Sequence, residues 1–321
     1  MTTDQITYLV FGIVLVLALA FDLGLLSKKE KKITIREALF QTLFWVSLAL
    51  AFFVFMWVEN GRQLALEYLS AYLMEWSLSI DNIFVFILIF SSFKVKEKFY
   101  GRVLLIGILM AIIFRVIFIT VGVALVNKFE WVLYIFGLFL LYTGYKMFTA
   151  TEDEEFDPHE SKIYRFMKKF LPLVPHDGNG KYIVRENGRP GYTTLFVVVV
   201  MLAAIDLVFA LDSIPAVMGI SKDNLVIYTS NIFAVLGLRS LFFLLRGAVS
   251  KFDYLQQGIA IVLAFIGLKM LGEHWISQWI PKSTQVLISL SVILVCISGS
   301  IFYSIYRKKK GTPPDVSDGS L

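Results

Sequence analysis

Charge, cysteine and histidine are what this chain has little of. Only 17% of its 321 residues are charged, against 57% hydrophobic. An ordinary soluble domain carries about 25% charged residues and an apolar share nearer half, so a soluble enzyme or binding domain is excluded. A single cysteine, Cys296, cannot form an internal disulfide. It lies in an apolar run, where a thiol ordinarily serves packing. None of the three histidines, His159, His176 and His274, lies well inside an apolar run, so imidazole and thiolate chemistry is not offered there. The formal charge of +5 is spread over several loops. It does not form one basic stripe with stacking aromatics, which argues against nucleic acid as a partner.

What the chain does have is long hydrophobic runs. Apolar stretches long enough to cross a hydrocarbon core fall at 6–26, 37–58, 67–90, 103–126, 131–149, 193–213, 225–245, 254–272 and 284–306. They predict an all-α polytopic membrane protein of nine transmembrane helices, with the lipid bilayer as its first partner. Ala18-Leu19-Ala20 looks like a signal-peptide cleavage site, but Met1-Thr2-Thr3-Asp4-Gln5 lacks the positive charge such a peptide begins with. The first run is therefore expected to be a retained helix. Twenty-two of the 30 Lys and Arg residues fall in loops on one side of this arrangement and four on the other. By the positive-inside rule the N-terminus is outside and the C-terminus cytoplasmic.

Helices three to five and six to eight read as two copies of one unit. Lys128-Phe129-Glu130 aligns with Lys251-Phe252-Asp253, and Gly144, Lys146 and Met147 align with Gly267, Lys269 and Met270. Charged positions carry this match, not Leu and Val. A unit with an odd number of helices re-enters the membrane from the opposite side, so the expectation is a 3+3 inverted repeat of the kind found in secondary transporters. The chain then divides into two N-terminal helices (1–66), a first repeat (67–149), a cytoplasmic loop (150–192), a second repeat (193–272), and a last helix with its tail (273–321). The loop opens with Glu152-Asp153-Glu154-Glu155, Asp157 and His159-Glu160, read as a solvated face rather than a metal site. Later it holds Tyr182 to Pro190, where Asn187-Gly188 predicts a short hairpin.

One constellation of polar residues occurs twice inside this apolar sequence. Glu75, Asp81 and Asn82 in the third helix match Asp206, Asp212 and Ser213 in the sixth. An ionised group at the bilayer centre costs on the order of 2.5–3.5 kcal/mol on insertion scales, so four acids in duplicate registers ask for a functional reason. At 100° per residue Glu75 and Asp81 stand about 120° apart, whereas Glu75, Ser79 and Asn82 share a face, as do Asp206 and Ser213. Pro215 predicts a helix break near Asp212 that frees a backbone acceptor. Four ionised carboxylates against Arg115 and Arg239 leave a charge of −2, the complement of one divalent cation. A guanidinium only donates hydrogen bonds, so the two arginines are read as orienting counter-charges and not as ligands. Carboxylate, amide and hydroxyl oxygens suit Mn²⁺, Mg²⁺ or Ca²⁺. Asn231 is a further oxygen donor whose bland alternative is a helix cap or interhelical bond. Met74, Met201 and Met218 are read as packing. Asp22 is either an entry or coupling site or a residue at the headgroup interface.

At these residues the chain resembles the TerC family of integral membrane proteins, which includes the Alx-type manganese exporters of bacteria. The match rests on Glu75-x-Ser77-Leu78-x-x-Asp81-Asn82, on Phe209-Ala210-x-Asp212-Ser213-Ile214-Pro215-Ala216, and on Thr229-Ser230-Asn231 followed by Gly237-Leu238-Arg239. The resemblance implies a fold related to LysE-type transporters, a bacterial plasma-membrane location, Mn²⁺ efflux and an association with tellurium resistance. Tellurite is an anion that a carboxylate-lined path repels, so that association is expected to be indirect. By motif match the pathway is Glu75, Asp81, Asn82, Asp206, Asp212 and Asn231. The expectation is thus a divalent-cation exporter without a cofactor, with Mn²⁺ as cargo and protons as counter-ion. The rival reading is a membrane scaffold that assists the biogenesis or metalation of exported proteins, with the acidic loop as docking surface; a homo-oligomer or such exported-protein biogenesis factors are the further partners expected. An intramembrane aspartyl protease is disfavoured because the Gly-x-Gly-Asp context is missing, so no enzymatic activity is expected.

Overall fold

The computed structural model describes residues 3–26, 33–129, 131–149, 159–186, 189–246 and 254–311. It is built of long helices: α1 (Thr3–Leu26), α2 (Ile35–Glu59), α3 (Arg62–Ser92), α4 (Glu97–Lys128), α5 (Val132–Thr149), the short α6 (Lys162–Phe170), α7 (Thr194–Ile220), α8 (Asn224–Leu245), α9 (Leu255–Trp279) and α10 (Lys282–Gly311). Each of the nine apolar runs lies within, or overlaps all but one or two terminal residues of, one of the long helices. Most of these helices are longer than the runs that announced them. Hydropathy marks the lipid-immersed part of a helix, while backbone hydrogen bonding carries the helix on into the interface. At 1.5 Å per residue the 32 residues of α4 span about 48 Å, well beyond a hydrocarbon core of about 30 Å.

Among the described residues seven helices are long and apolar enough to cross a membrane: α2, α4, α5, α7, α8, α9 and α10. The apolar part of α1, Gln5–Ala20, is shorter, and α3 carries Arg62, Glu67, Glu75 and Asp81 along its 31 residues. The outward surface supports the membrane setting. Phe40, Val58, Val295 and Phe302 are all more than 70% or just 70% exposed, apolar side chains that a bilayer covers and water does not.

The centre of the bundle is α8, nearly every residue of which is buried. A helix apolar on all sides belongs in such a place. Around it pack α2, α3 and α4; α3 also lies on α7, α4 on α7, and α5 on α9. The α5–α9 crossing is close because glycines open it. A methyl added to Gly144 would stand 2.8 Å from the Ala260 carbonyl oxygen and 3.1 Å from the Ala264 nitrogen, and one added to Gly267 would stand 2.8 Å from the Gly137 oxygen and 3.2 Å from the Leu141 nitrogen.

Helix ends follow local chemistry. Thr34 and Glu37 form a reciprocal capping box at the start of α2, and the Asp223 carboxylate accepts from the Leu225 N–H at 2.8 Å to begin α8. α7 departs from expectation, since it runs on through Pro215 to Ile220 without ending near Asp212. Packing on both sides of Pro215, where Ile214, Ala216 and Val217 are buried, holds the helix together. The proline still leaves the Leu211 carbonyl without its usual helical donor.

Between α5 and α7 the predicted hairpin is present: β1 (Ile183–Glu186) pairs antiparallel with β2 (Arg189–Tyr192), Ile183 opposite Tyr192 and Glu186 opposite Arg189. Its Asn187-Gly188 turn lies outside the described residues, as do the acidic run 152–157, Glu130 and Lys251-Phe252-Asp253. The segment is tied to the first turns of α4. Lys96 pairs with Asp177 at 2.6 Å, and Arg102 lies over the Tyr182 ring.

Candidate functional site

Four helices each bring one polar side chain to a common point. Glu75 comes from α3, Arg115 from α4, Asp206 from α7 and Asn231 from α8, and none is more than 1% exposed. Helix packing explains why they meet, because α3 and α4 each touch both α7 and α8. Arg115 is the hub. Its Nε donates to Asp206 Oδ2 at 2.7 Å and its Nη2 to Asp206 Oδ1 at 3.1 Å. Nη1 donates to Glu75 Oε2 at 2.8 Å and to Asn231 Oδ1 at 3.0 Å. The Asn231 amide is oriented by its other end, where Nδ2 donates to the Ile227 carbonyl at 3.1 Å.

The two-pronged Arg115–Asp206 pair uses the planar fork of the guanidinium, which fits a carboxylate better than an ammonium can. Two carboxylates against one guanidinium leave the cluster with a formal charge of −1. Oxygen atoms are also left over. Glu75 Oε1, Ser79 Oγ and Ser213 Oγ are buried and have no hydrogen-bond partner among the described residues. Buried polar groups are nearly always satisfied, so three open oxygens on α3 and α7 are notable.

The remaining predicted residues fall as follows. Asn82 is buried at 3% in α3, seven residues beyond Glu75, and Arg239 is buried at 2% in α8. Asp81, Asp212 and Asp22 belong to α3, α7 and α1, but their side chains lie outside the described residues. Met74, Met201 and Met218 are core packing residues. Among the described residues no group of three His, Cys, Asp or Glu side chains is clustered. His159 and His176 line one cavity of about 740 Å³, and each ring has a partner of its own. His159 lies tilted against Phe93, ring centroids 4.4 Å apart, while His176 Nε2 meets Glu186 at 2.6 Å and its Nδ1 accepts from the Gly178 N–H.

Two residues that were not among the expected site residues are Glu67 and Lys269, the latter marked only as a repeat position. Glu67, 8% exposed, accepts from Ser221 Oγ and from Gln63 Nε2. It lines a cavity of about 340 Å³ together with Lys269, Glu273 and Gln285. The signal was available: Glu67 is a carboxylate eight residues before Glu75 on the same helix.

Residues 60–312 match the model of the integral membrane protein TerC family. The chain belongs to that family. It is similar at 40% identity to an uncharacterized membrane protein of Rickettsia felis, over 92% of this chain and 97% of the relative. It is 40% identical to an uncharacterized membrane protein of Myxococcus xanthus, over 93% and 91% of the two chains. A protein of Escherichia coli K12 described as "Putative membrane-bound redox modulator Alx" is 37% identical over 94% of this chain and 96% of its own. No solved structure matches. This TerC family member is a multi-pass integral membrane protein with bacterial relatives.

Proposed function

We propose that this protein carries a divalent cation, Mn²⁺ in the first place, out of the bacterial cytoplasm through the carboxylate centre between α3, α4, α7 and α8. The single observation that carries the reading is the buried cluster of Glu75, Asp206 and Asn231 around Arg115. Its open oxygen, Glu75 Oε1, and the unpartnered Ser79 Oγ and Ser213 Oγ elsewhere on α3 and α7 are hard donors of the kind Mn²⁺ accepts. Asp81, Asn82 and Asp212 complete the ligand set, and Arg115 and Arg239 hold the carboxylates apart and oriented while no cation is bound. The cation is cargo. Protons are its counter-ion in this reading. No covalent step and no cofactor is invoked.

The centre is closed to both sides, so transport requires alternating access. An inverted repeat of α3–α5 and α7–α9 within a nine-span bundle supplies the moving halves. The α5–α9 crossing favours it. Adding 123 to residues 137, 141 and 144 yields 260, 264 and 267, and the contacts of Gly144 with Ala260 and Ala264 become those of Gly267 with Gly137 and Leu141. Exchange of partners at one offset is what a two-fold relation between repeats produces. The Lys and Arg bias orients the bundle with its N-terminus outside, and Asp22 then lies near the inner end of α1. The E. coli relative's description as a redox modulator fits a metal-borne effect, since one cysteine supplies no intramolecular thiol pair here.

Binding tests the reading directly. Titrating purified wild-type protein with Mn²⁺ and following the paramagnetic resonance signal of the free ion should show saturable uptake. Glu75→Gln should weaken it by more than the roughly 10–100-fold that loss of an outer-shell partner costs, because Glu75 is placed among the ligands. Equal uptake by both proteins removes Glu75 from the site, and no uptake by well-folded wild type moves the weight to the scaffold reading.

A further inference from the structure

The short helix α6 has no part in the carboxylate centre, yet its composition is unusual. Lys162-Ile163-Tyr164-Arg165-Phe166-Met167-Lys168-Lys169-Phe170 holds four cations and no acid in nine residues. At 100° per residue Phe166, Phe170, Ile163, Met167 and Tyr164 fill one continuous arc and the four cations fill the rest. The protein covers only part of that apolar arc. Met167 is buried, but Phe166 and Phe170 stand 64% and 62% exposed with ring centroids 4.6 Å apart.

The N-cap of α6 packs against α7. Ser161, its N-cap, places Oγ 3.7 Å from the sulfur of Met201. Met201 is seven residues past Thr194, where α7 starts, so this contact lies on the order of 10 Å along the membrane helix. The short helix therefore begins beside α7 and not beyond its end. Exposed phenyl rings beside a row of cations on a short helix match the boundary where acyl chains meet head groups.

We propose that α6 is an interfacial helix that binds anionic phospholipid, with Phe166 and Phe170 among the acyl chains and Lys162, Lys168 and Lys169 on the phosphates. Arg165 is spoken for, since its guanidinium donates to the Glu160 carbonyl at 2.8 and 2.6 Å. The charge complementarity favours a lipid with net negative charge over a zwitterionic one. Which leaflet is bound rests on the topology proposed above; the binding itself does not.

The test uses full-length protein with Cys296→Ser and a nitroxide on Phe166→Cys or, separately, Phe170→Cys, in vesicles of phosphatidylcholine alone or mixed with phosphatidylglycerol. Val295→Cys serves as the lipid-facing reference and Asn179→Cys as the aqueous one. In the mixed vesicles the label on α6 should collide with oxygen several-fold in preference to a water-soluble nickel chelate, as at position 295. Replacing Lys162, Lys168 and Lys169 by Gln should move it toward water. Behaviour like position 179, or protection from both collision partners, would mean that water or another protein segment such as 152–157 covers this face, and would overturn the proposal. Equal depth in both lipids would overturn the head-group assignment. None of these readings depends on cation flux.

Discussion

Arg115 grips Asp206 with two parallel bonds, Nε to Oδ2 at 2.7 Å and Nη2 to Oδ1 at 3.1 Å, and so locks α4 to α7 in the interior of the membrane bundle. The same guanidinium reaches α3 and α8 through Glu75 and Asn231. Removing it leaves two carboxylates buried without compensation. Breaking a buried pair in this way costs about 3–5 kcal/mol, so Arg115→Gln should lower Tm markedly in detergent. Arg115→Lys should recover part of the loss, because an ammonium keeps the charge and loses the fork. An unchanged Tm for Arg115→Gln contradicts the hub assignment.

The α5–α9 crossing predicts a contrast among glycines. Gly267→Ala puts a methyl 2.8 Å from the Gly137 carbonyl oxygen, and the backbones must part at a cost of about 1–3 kcal/mol. Gly299→Ala in α10 meets nothing within 4 Å and should be neutral or stabilising by about 1 kcal/mol, the ordinary gain of alanine over glycine in a helix. Thermal unfolding of the two variants checks this, and equal Tm values would remove the crossing as a tight contact.

Acid should loosen the anchoring of the β1–β2 hairpin. The Lys96 ammonium, bonded to Asp177 at 2.6 Å, holds that carboxyl below the usual carboxylate range, helped by the Asn179 backbone N–H. A carboxyl lowered on folding stabilises above its unfolded pKa of about 4 and loses that contribution as pH falls through the lower folded value. Protection factors across 172–192, taken against the intrinsic exchange rate at each pH, should therefore fall in that acid window, and Asp177→Asn should flatten the dependence. Exchange that changes identically in both proteins would assign the effect to other groups.

The parts of this molecule that were legible in the sequence are those where composition and environment disagree. Glu75, Asp206, Arg115 and Asn231 stood out because ionisable and amide groups are rare in such apolar runs, and all four are buried together. Their grouping around Arg115 was not legible, since 40 residues and a helix turnaround separate Glu75 from Arg115 and only packing sets their distance. Pro215 signalled an interruption that tertiary packing overrides. The hairpin was readable from Asn187-Gly188. α6 was not, because nine residues dominated by Lys and Phe have no membrane-length run and lie within a segment whose acids suggested a solvated loop. Glu67 was passed over because it stands at the edge of its run, where a carboxylate ordinarily means interface.

Replacing a single ligand should separate folding from transport. Asn231→Leu removes the oxygen 3.0 Å from Arg115 Nη1 while filling similar volume. It should leave the protein in the membrane and reduce Mn²⁺ affinity on the order of 10–100-fold, as loss of a group that orients a metal site does. Wild-type affinity in a folded Asn231→Leu protein would exclude Asn231 from the site.

The most direct measurement is Mn²⁺ flux in proteoliposomes with internal pH followed in parallel, comparing wild type with Glu75→Gln and Asp212→Asn. The account predicts Mn²⁺ movement coupled to opposite proton flow in the wild type and its loss in both variants at equal protein incorporation. Undiminished flux in the variants, or no flux of Mn²⁺, Mg²⁺ or Ca²⁺ through well-folded wild-type protein, would contradict it.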